Sequence, residues 1–169
     1  MKVLITYSTL TGNTKKIANS VKDAIQNADL LDISEVNTLD YDLIIIGTWI
    51  DKGSADNKAL NFIKTIKNKK TAFFFTLGAY ANSEHSKNCN NKITEILKEN
   101  NNEVIGSFHC QGAIDPKLIE QMKKMFPADH HHGANPESLK RWGDASTHPD
   151  VNDERNAKEY FENLIKKLG

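Results

Sequence analysis

Only two cysteines, Cys89 and Cys110, occur in 169 residues. That is too few for the disulfide framework that holds a small secreted domain together. Reduced thiols in a cytoplasmic protein are the expectation. Neither sign of charge is in excess, since 22 basic residues stand against 22 acidic ones. The field that would hold nucleic acid or an anionic membrane is therefore missing. No apolar run approaches the ~20 residues needed to cross a bilayer. The first apolar segment opens at Val3, so a signal peptide is not expected. Cys89 and Cys110 are not at zinc-ribbon spacing, no Ser-His-Asp grouping stands out, and no pocket of clustered aspartates is evident. The length is sufficient for one domain, residues 1–169, with a core that needs no staples.

What is present is an alternation of buried strands and amphipathic helices. Val3-Leu4-Ile5-Thr6-Tyr7, Asp42 to Thr48, Thr71 to Leu77 and Glu103 to Gln111 read as strands buried on both faces, with Ala28 to Ile33 a weaker fifth. Helical stripes fall between them: Ile17, Ala18, Val21, Ala24 and Ile25; then Ala59, Leu60, Ile63 and Ile66; then Ile93, Ile96 and Leu97. A closing helix carries Tyr160, Phe161, Leu164, Ile165 and Leu168, with Asn152 as its expected N-cap. Such a chain forms an α/β three-layer sandwich, a five-stranded parallel sheet in the order 2-1-3-4-5. Ligands of such sheets lie outside the carboxyl ends of the strands, where the winding switches. Functional residues are therefore sought just after strands 1, 3, 4 and 5.

After strand 1 comes Ser8-Thr9-Leu10-Thr11-Gly12-Asn13-Thr14, rich in hydroxyls and free of acid. A strand passing through this loop into a helix aims backbone N–H groups and the positive end of the helix dipole at one point, a place for a phosphate. Thr9, Thr11, Asn13 and Thr14 each have a side-chain donor to offer. The Gly-Lys-Ser/Thr ending of a Walker loop is missing, and so are the further glycines of a dinucleotide fingerprint. The plainer alternative is an ordinary hydroxyl-rich N-cap.

The motif Thr9-x-Thr11-Gly12-Asn13-Thr14, directly after an N-terminal strand, resembles the phosphate loop of the flavodoxin-like family, which binds FMN. The resemblance implies that Thr9, Leu10, Thr11, Gly12, Asn13 and Thr14 hold the FMN phosphate. It further implies that the loop after strand 3, with Thr48, Trp49 and Gly53, holds the flavin ring. Trp49 would stack on the ring or, alternatively, anchor its loop on the core. Gly53 would allow a peptide to turn over beside the flavin, or is a plain turn glycine. The loop after strand 4, with Gly78, Ala79 and Tyr80, matches the second ring-binding loop, Tyr80 being a stacking residue or merely exposed. The resemblance covers about residues 1–111 and the last helix. Thr48-Trp49-Ile50-Asp51-Lys52-Gly53, Ser83-Glu84-His85 and Phe108-x-Cys110-Gln111-Gly112 with His148-Pro149 resemble the flavodoxin-like subgroup that accompanies bilirubin reductase in anaerobic bacteria.

Where the family runs almost directly into its last helix, this chain inserts about residues 113–150. Asp115-Pro116 starts a helix whose apolar face is Leu118, Ile119, Met122 and Phe126, and a short helix follows from Pro136 to Trp142. Between them lies His130-His131-His132. Adjacent histidines do not share a helix face, so a metal site is not expected there. The insertion reads as a flap or docking surface exposing Met122, Met125, Phe126, the histidines and Trp142, or as a cover for the edge strand. The resemblance implies an electron carrier between a reductase and an acceptor enzyme. Two alternatives stand beside it, a flavin-dependent NAD(P)H quinone or small-molecule reductase and a flavin-free interaction module.

Overall fold

The apolar strand segments sort residue by residue onto two faces. In β3 (Leu43–Asp51), Leu43 and Ile45 point to one side of the sheet, and Ile44 and Ile46 to the other. In β5 (Lys70–Leu77), Ala72 and Phe74 share the first side, and Phe73 and Phe75 the second. This is the period-two alternation of an extended chain, and here both faces are covered. The computed structural model describes residues 1–169 and shows what covers them.

β1 (Val3–Tyr7), β2 (Asp29–Asp32), β3, β5 and β6 (Glu103–Gln111) lie in the order β2-β1-β3-β5-β6, each neighbouring pair parallel. This is the expected sheet. One strand was not foreseen, β4 (Ser54–Ala55), which pairs antiparallel with the end of β3. One face carries α1 (Asn13–Ala24) and α6 (Val151–Lys166), through Ile17, Ala18, Val21, Ala157 and Phe161. The other carries α2 (Asn57–Ile63) and α3 (Glu84–Glu99), through Ala59, Ile63, Cys89, Ile93 and Leu97. The insertion contributes α4 (Pro116–Met125) and α5 (Pro136–Ala145). No helix is long and apolar enough to cross a membrane.

Two of the differences from the expected boundaries bear on the site and its surroundings. Trp49-Ile50-Asp51, expected as loop, continues β3, because Lys52 and Gly53 (φ 48° and 77°) form a two-residue hairpin turn that brings Ser54 back opposite Asp51. Positive φ at both turn positions matches the right-handed twist of the flanking strands. The cap of α6 is Asp150 rather than Asn152: its carboxylate accepts from the N–H groups of Asn152 and Asp153. A carboxylate at this position also complements the helix dipole.

Gly47 is the residue on which the centre of the sheet closes. It pairs with Phe74 in the β3–β5 register. A Cβ at Gly47 would lie 2.3 Å from the Phe74 ring, itself edge-on to Phe161 with centroids 6.1 Å apart. Gly47→Ala is therefore expected to destabilise the fold by about 1–3 kcal/mol, the usual cost of overpacking. Urea unfolding with a lowered midpoint and an unchanged slope would show it; an unchanged midpoint would mean that Phe74 has room to move.

Candidate functional site

At the carboxyl end of the sheet lies a cleft of about 860 Å³, large among the ~300–1,000 Å³ typical of small-molecule sites. Its floor is the end of β5 and the start of α1. Its sides are the β3–β4 hairpin, the loop after β5, and the insertion.

The start of α1 differs from that of every other helix. Asp56, Ser83, Asp115, Asn135 and Asp150 cap α2, α3, α4, α5 and α6 through their side chains, whereas Gly12, at φ 96°, caps α1 with none. The N–H groups of Asn13, Thr14 and Lys15 therefore have no acceptor in the protein, and no acid lies in the first turn. Unpaired donors at the positive end of a helix dipole suit an anion.

The hydroxyl and amide donors of this loop divide into two kinds. Thr9 Oγ1 accepts from Gly12 N at 3.0 Å, which leaves the Thr9 hydroxyl hydrogen free to donate. Thr11 is exposed at the mouth of the cleft. Asn13 and Thr14, expected as ligand donors, line the cleft, and their side chains also have partners within the protein. Asn13 Nδ2 donates to Ala113 O at 2.9 Å, and the Thr14 hydroxyl, fully buried, shares a hydrogen bond with Thr76 Oγ1. Gly12 shapes the turn without lining the cleft, while Leu10, 63% exposed, lines it.

Trp49 belongs to neither core layer and lines the cleft half-buried. Thr48, expected beside it as a ligand contact, is fully buried with its hydroxyl turned away from the cleft. Strand alternation explains this, because consecutive residues of β3 face opposite ways. The Thr48 hydroxyl donates to Asp56, a residue that carried no functional expectation. Asp56 is 3% exposed and has no cation beside it. Its carboxylate accepts from Ser8 Oγ (2.9 Å), Thr48 Oγ1 (2.9 Å), Lys58 N (3.0 Å) and Ala59 N (3.3 Å). One side chain thus ties the end of β1, the end of β3 and the start of α2. Its signal in the sequence is an aspartate directly before a helical stripe.

Gly53 and Lys52 form the tip of the hairpin and line the cleft. In the loop after β5, Gly78 fits against the insertion: a Cβ there would lie 2.5 Å from Ile114. Ala79 and Tyr80 also line the cleft. The Tyr80 hydroxyl donates to Asp144 Oδ2 on α5 at 2.7 Å, which raises its pKa. Beneath this loop, His109 Nε2 meets Ala81 O at 2.9 Å while its ring stacks on Phe75. Burial lowers its pKa, the bond to Ala81 opposing the shift; the ring is held neutral as Nε2–H and braces the loop.

The insertion leaves and returns at one point. Ala113 N donates to His148 O at 2.7 Å, and Lys16 Nζ to Pro149 O at 2.7 Å. Between these ends it builds a wall of the cleft from Ile114, Leu118, Met122, His131, His132, Arg141 and Trp142. Trp142, expected to be exposed, is only 6% so, because it turns the apolar side of α5 inward. His148, Asp150 and Asp153 place possible ligand atoms within 4.8 Å of one another. Their bonds to each other and to the first turn of α6 account for that grouping. Cys110, the buried thiol nearby, is pushed well above the usual thiol range by burial, then by Asp153 and Asp150. That makes it a poor nucleophile.

The flavodoxin domain model matches residues 4–162. The chain is 35% identical, over 99% of its length and 98% of the relative's, to the flavodoxin-like domain-containing protein BilS of Clostridioides difficile (strain CD3). It is 24% identical, over 90% of both, to that of Clostridium symbiosum (strain WAL-14163). Oxidised flavodoxin 1 from Bacillus cereus superposes over 100% of both chains with a TM-score of 0.63 at 16% identity. An FMN complex of a flavoprotein from Lactobacillus acidophilus NCFM does so over 64% of this chain and 93% of its own, with a TM-score of 0.54 at 22% identity. At these identities the two structures speak for the fold alone.

Asp56→Ala removes the cap of α2 and the charged acceptor of two buried hydroxyls. A loss on the order of 3 kcal/mol in unfolding free energy is expected, with Asp56→Asn losing about half as much because one acceptor oxygen remains. Equal losses in the two variants, or a loss under about 1 kcal/mol in Asp56→Ala, would contradict the role assigned to the carboxylate.

Proposed function

The chain belongs to the flavodoxin domain family, and on that premise we propose that the cleft holds one FMN noncovalently and that the protein carries electrons between a reductase and an acceptor enzyme. The observation that carries this reading is the uncapped start of α1, opening into a cleft whose sides present Trp49 and Tyr80. The fit is chemical as well as spatial. The donors suit a dianionic phosphate, and the aromatic and small residues above them suit a flat ring.

In this reading the N–H groups of Asn13, Thr14 and Lys15, with the hydroxyls of Thr9 and Thr11, hold the phosphate. Trp49, Gly53, Gly78, Ala79 and Tyr80 border the ring. FMN, when bound, supplies acceptance and release of one or two electrons. The chain's own contribution is to fix the ring, keep water from most of it and leave an edge accessible. Asp56 holds the hairpin and the phosphate loop in register, so that ring and phosphate are gripped together. The side chains of Asn13 and Thr14 fix the path of the loop, while their backbone N–H groups meet the phosphate.

The acceptor is a dedicated partner. Ordinary flavodoxins are strongly acidic, and the even charge of this chain does not favour charge-steered docking to many basic proteins. The similarity to the BilS relatives, with the motifs at Trp49, His85, Cys110 and His148, favours a bilirubin reductase and hence tetrapyrrole reduction. A second reading is favoured by the wall built from the insertion, which encloses the cleft as an enzyme's substrate pocket would be enclosed: an NAD(P)H-dependent flavin reductase acting alone. Rapid mixing separates the two, since direct bleaching of bound flavin by NAD(P)H supports the enzyme, and inertness until a reductase is added supports the carrier.

Titration of the purified chain with FMN is expected to quench flavin fluorescence at one-to-one stoichiometry. Absence of binding at micromolar concentrations would defeat the reading. Trp49→Ala should weaken FMN about tenfold or more through lost stacking and burial; unchanged affinity would remove Trp49 from the ring site.

A further inference from the structure

The wall contributed by the insertion carries a guanidinium that no carboxylate of the chain pairs. Arg141, half-buried in the cleft lining, donates through Nη2 to Ser138 Oγ at 3.3 Å and to no carboxylate. Ser138 is 1% exposed and is fixed by its own N–H to Asn135 Oδ1. The guanidinium is therefore held in place from behind while most of its donors remain unpaired. His131 and His132 line the cleft beside it, their ring centroids 3.9 Å apart. His130 stacks on Phe126 behind them and accepts from His132 N, which sets the turn. The pKa of His132 is lowered by burial, then by its neighbours His131, His130 and Arg141, so the ring beside the guanidinium favours its neutral form and can still donate one N–H.

The acids nearby do not pair with Arg141. Asp115 caps α4, and Asp144 is shared between Lys140 and Tyr80. Glu137, in the first turn of α5, lines the cleft and makes no ion pair with Arg141. The same cleft is lined by the apolar side chains of Leu118, Met122 and Trp142. Leu118 remains 46% exposed although its helix has a less exposed side to offer.

We propose that the insertion wall is a second binding site of this chain, for a small organic anion that presents a carboxylate to Arg141 and the paired imidazoles and lays an apolar body on Leu118, Met122 and Trp142. Arg141 fixes the ligand's orientation, since a guanidinium takes a carboxylate through two parallel bonds. The apolar surface supplies most of the affinity. The site shares the cleft with the proposed cofactor, and in that respect the inference rests on the flavin reading. Occupancy by both ligands at once would place the anion's body beside the ring.

The test is calorimetric titration of the FMN-loaded full chain with 2-naphthoate and with its uncharged counterpart 2-naphthamide. Naphthoate is expected to bind about tenfold more tightly than the amide, a difference of one charge-assisted contact. Arg141→Met should remove that preference while leaving FMN affinity unchanged, and Arg141→Lys should restore part of it. Equal binding of the two probes, or an undiminished preference in Arg141→Met, would overturn the proposal. So would mutual displacement of naphthoate and FMN, which would assign Arg141 to the cofactor. If the chain binds no FMN, the same titration on the protein as purified still decides: a preference for naphthoate that depends on Arg141 keeps the anion site and rejects only the flavin reading.

Discussion

The carboxylate of Asp56 is the constraint on which the ligand end of the molecule depends. A buried charge with no cation beside it is costly unless several donors surround it. Here two hydroxyls and two backbone N–H groups do so, and they come from three elements that are distant in the sequence. Ser8 opens the loop that leads into α1, Thr48 precedes Trp49, and Lys58 and Ala59 lie in the first turn of α2. The parallel strands bring their carboxyl ends to the same edge, but strand pairing alone leaves the loops beyond them free to diverge. Asp56 removes that freedom. Its N–H adds to the effect by donating to Trp49 O at 3.1 Å, which closes the hairpin onto the sheet.

Seen from that centre, the cleft has an inherited half and an added half. The uncapped turn of α1, the hairpin and the loop after β5 belong to the sheet and fall where any doubly wound sheet places a ligand. The insertion has no strand of its own, yet it is not a loose excursion. It starts and ends on neighbouring residues joined by the Ala113–His148 bond, and both ends are attached to α1. Its interior side is made by Trp142, Ala145 and Ser138, all buried. A segment anchored in this way can add a chemically different wall to an existing site without disturbing the sheet below it.

The strands and their order were legible because a parallel sheet covered on both faces demands unbroken apolar runs of β-branched or aromatic residues, and Leu43–Ile46 and Phe73–Phe75 are such runs. The uncapped, acid-free turn that opens α1 was legible from its position after the first strand and its composition. Orientation was harder to read. Thr48 and Trp49 are neighbours in one motif, but the pleat sends one to Asp56 and the other to the cleft. Asn13 looked like a ligand donor because side-chain amides make good ones; its bond to Ala113 depends on a residue 100 positions away, which no local pattern discloses. Trp142 shows the same limit, since an apolar residue on a short amphipathic helix does not announce what it faces. Asp150 took the cap expected of Asn152 because two acceptable capping residues lie two apart, and only the path of the chain from Pro149 selects between them.

The bond between Tyr80 and Asp144 joins the two halves of the cleft at a single point. Asp144 divides its carboxylate between that hydroxyl and Lys140, whose ammonium lies 6.0 Å from the Tyr80 ring centroid. An occupant that moves Tyr80 must therefore disturb α5, and an occupant that moves α5 must disturb Tyr80. Thermodynamic reciprocity then requires any preference of one ligand for the joined or parted state to be felt by the other to the same degree. The clasp makes the two walls of the cleft report on each other's contents.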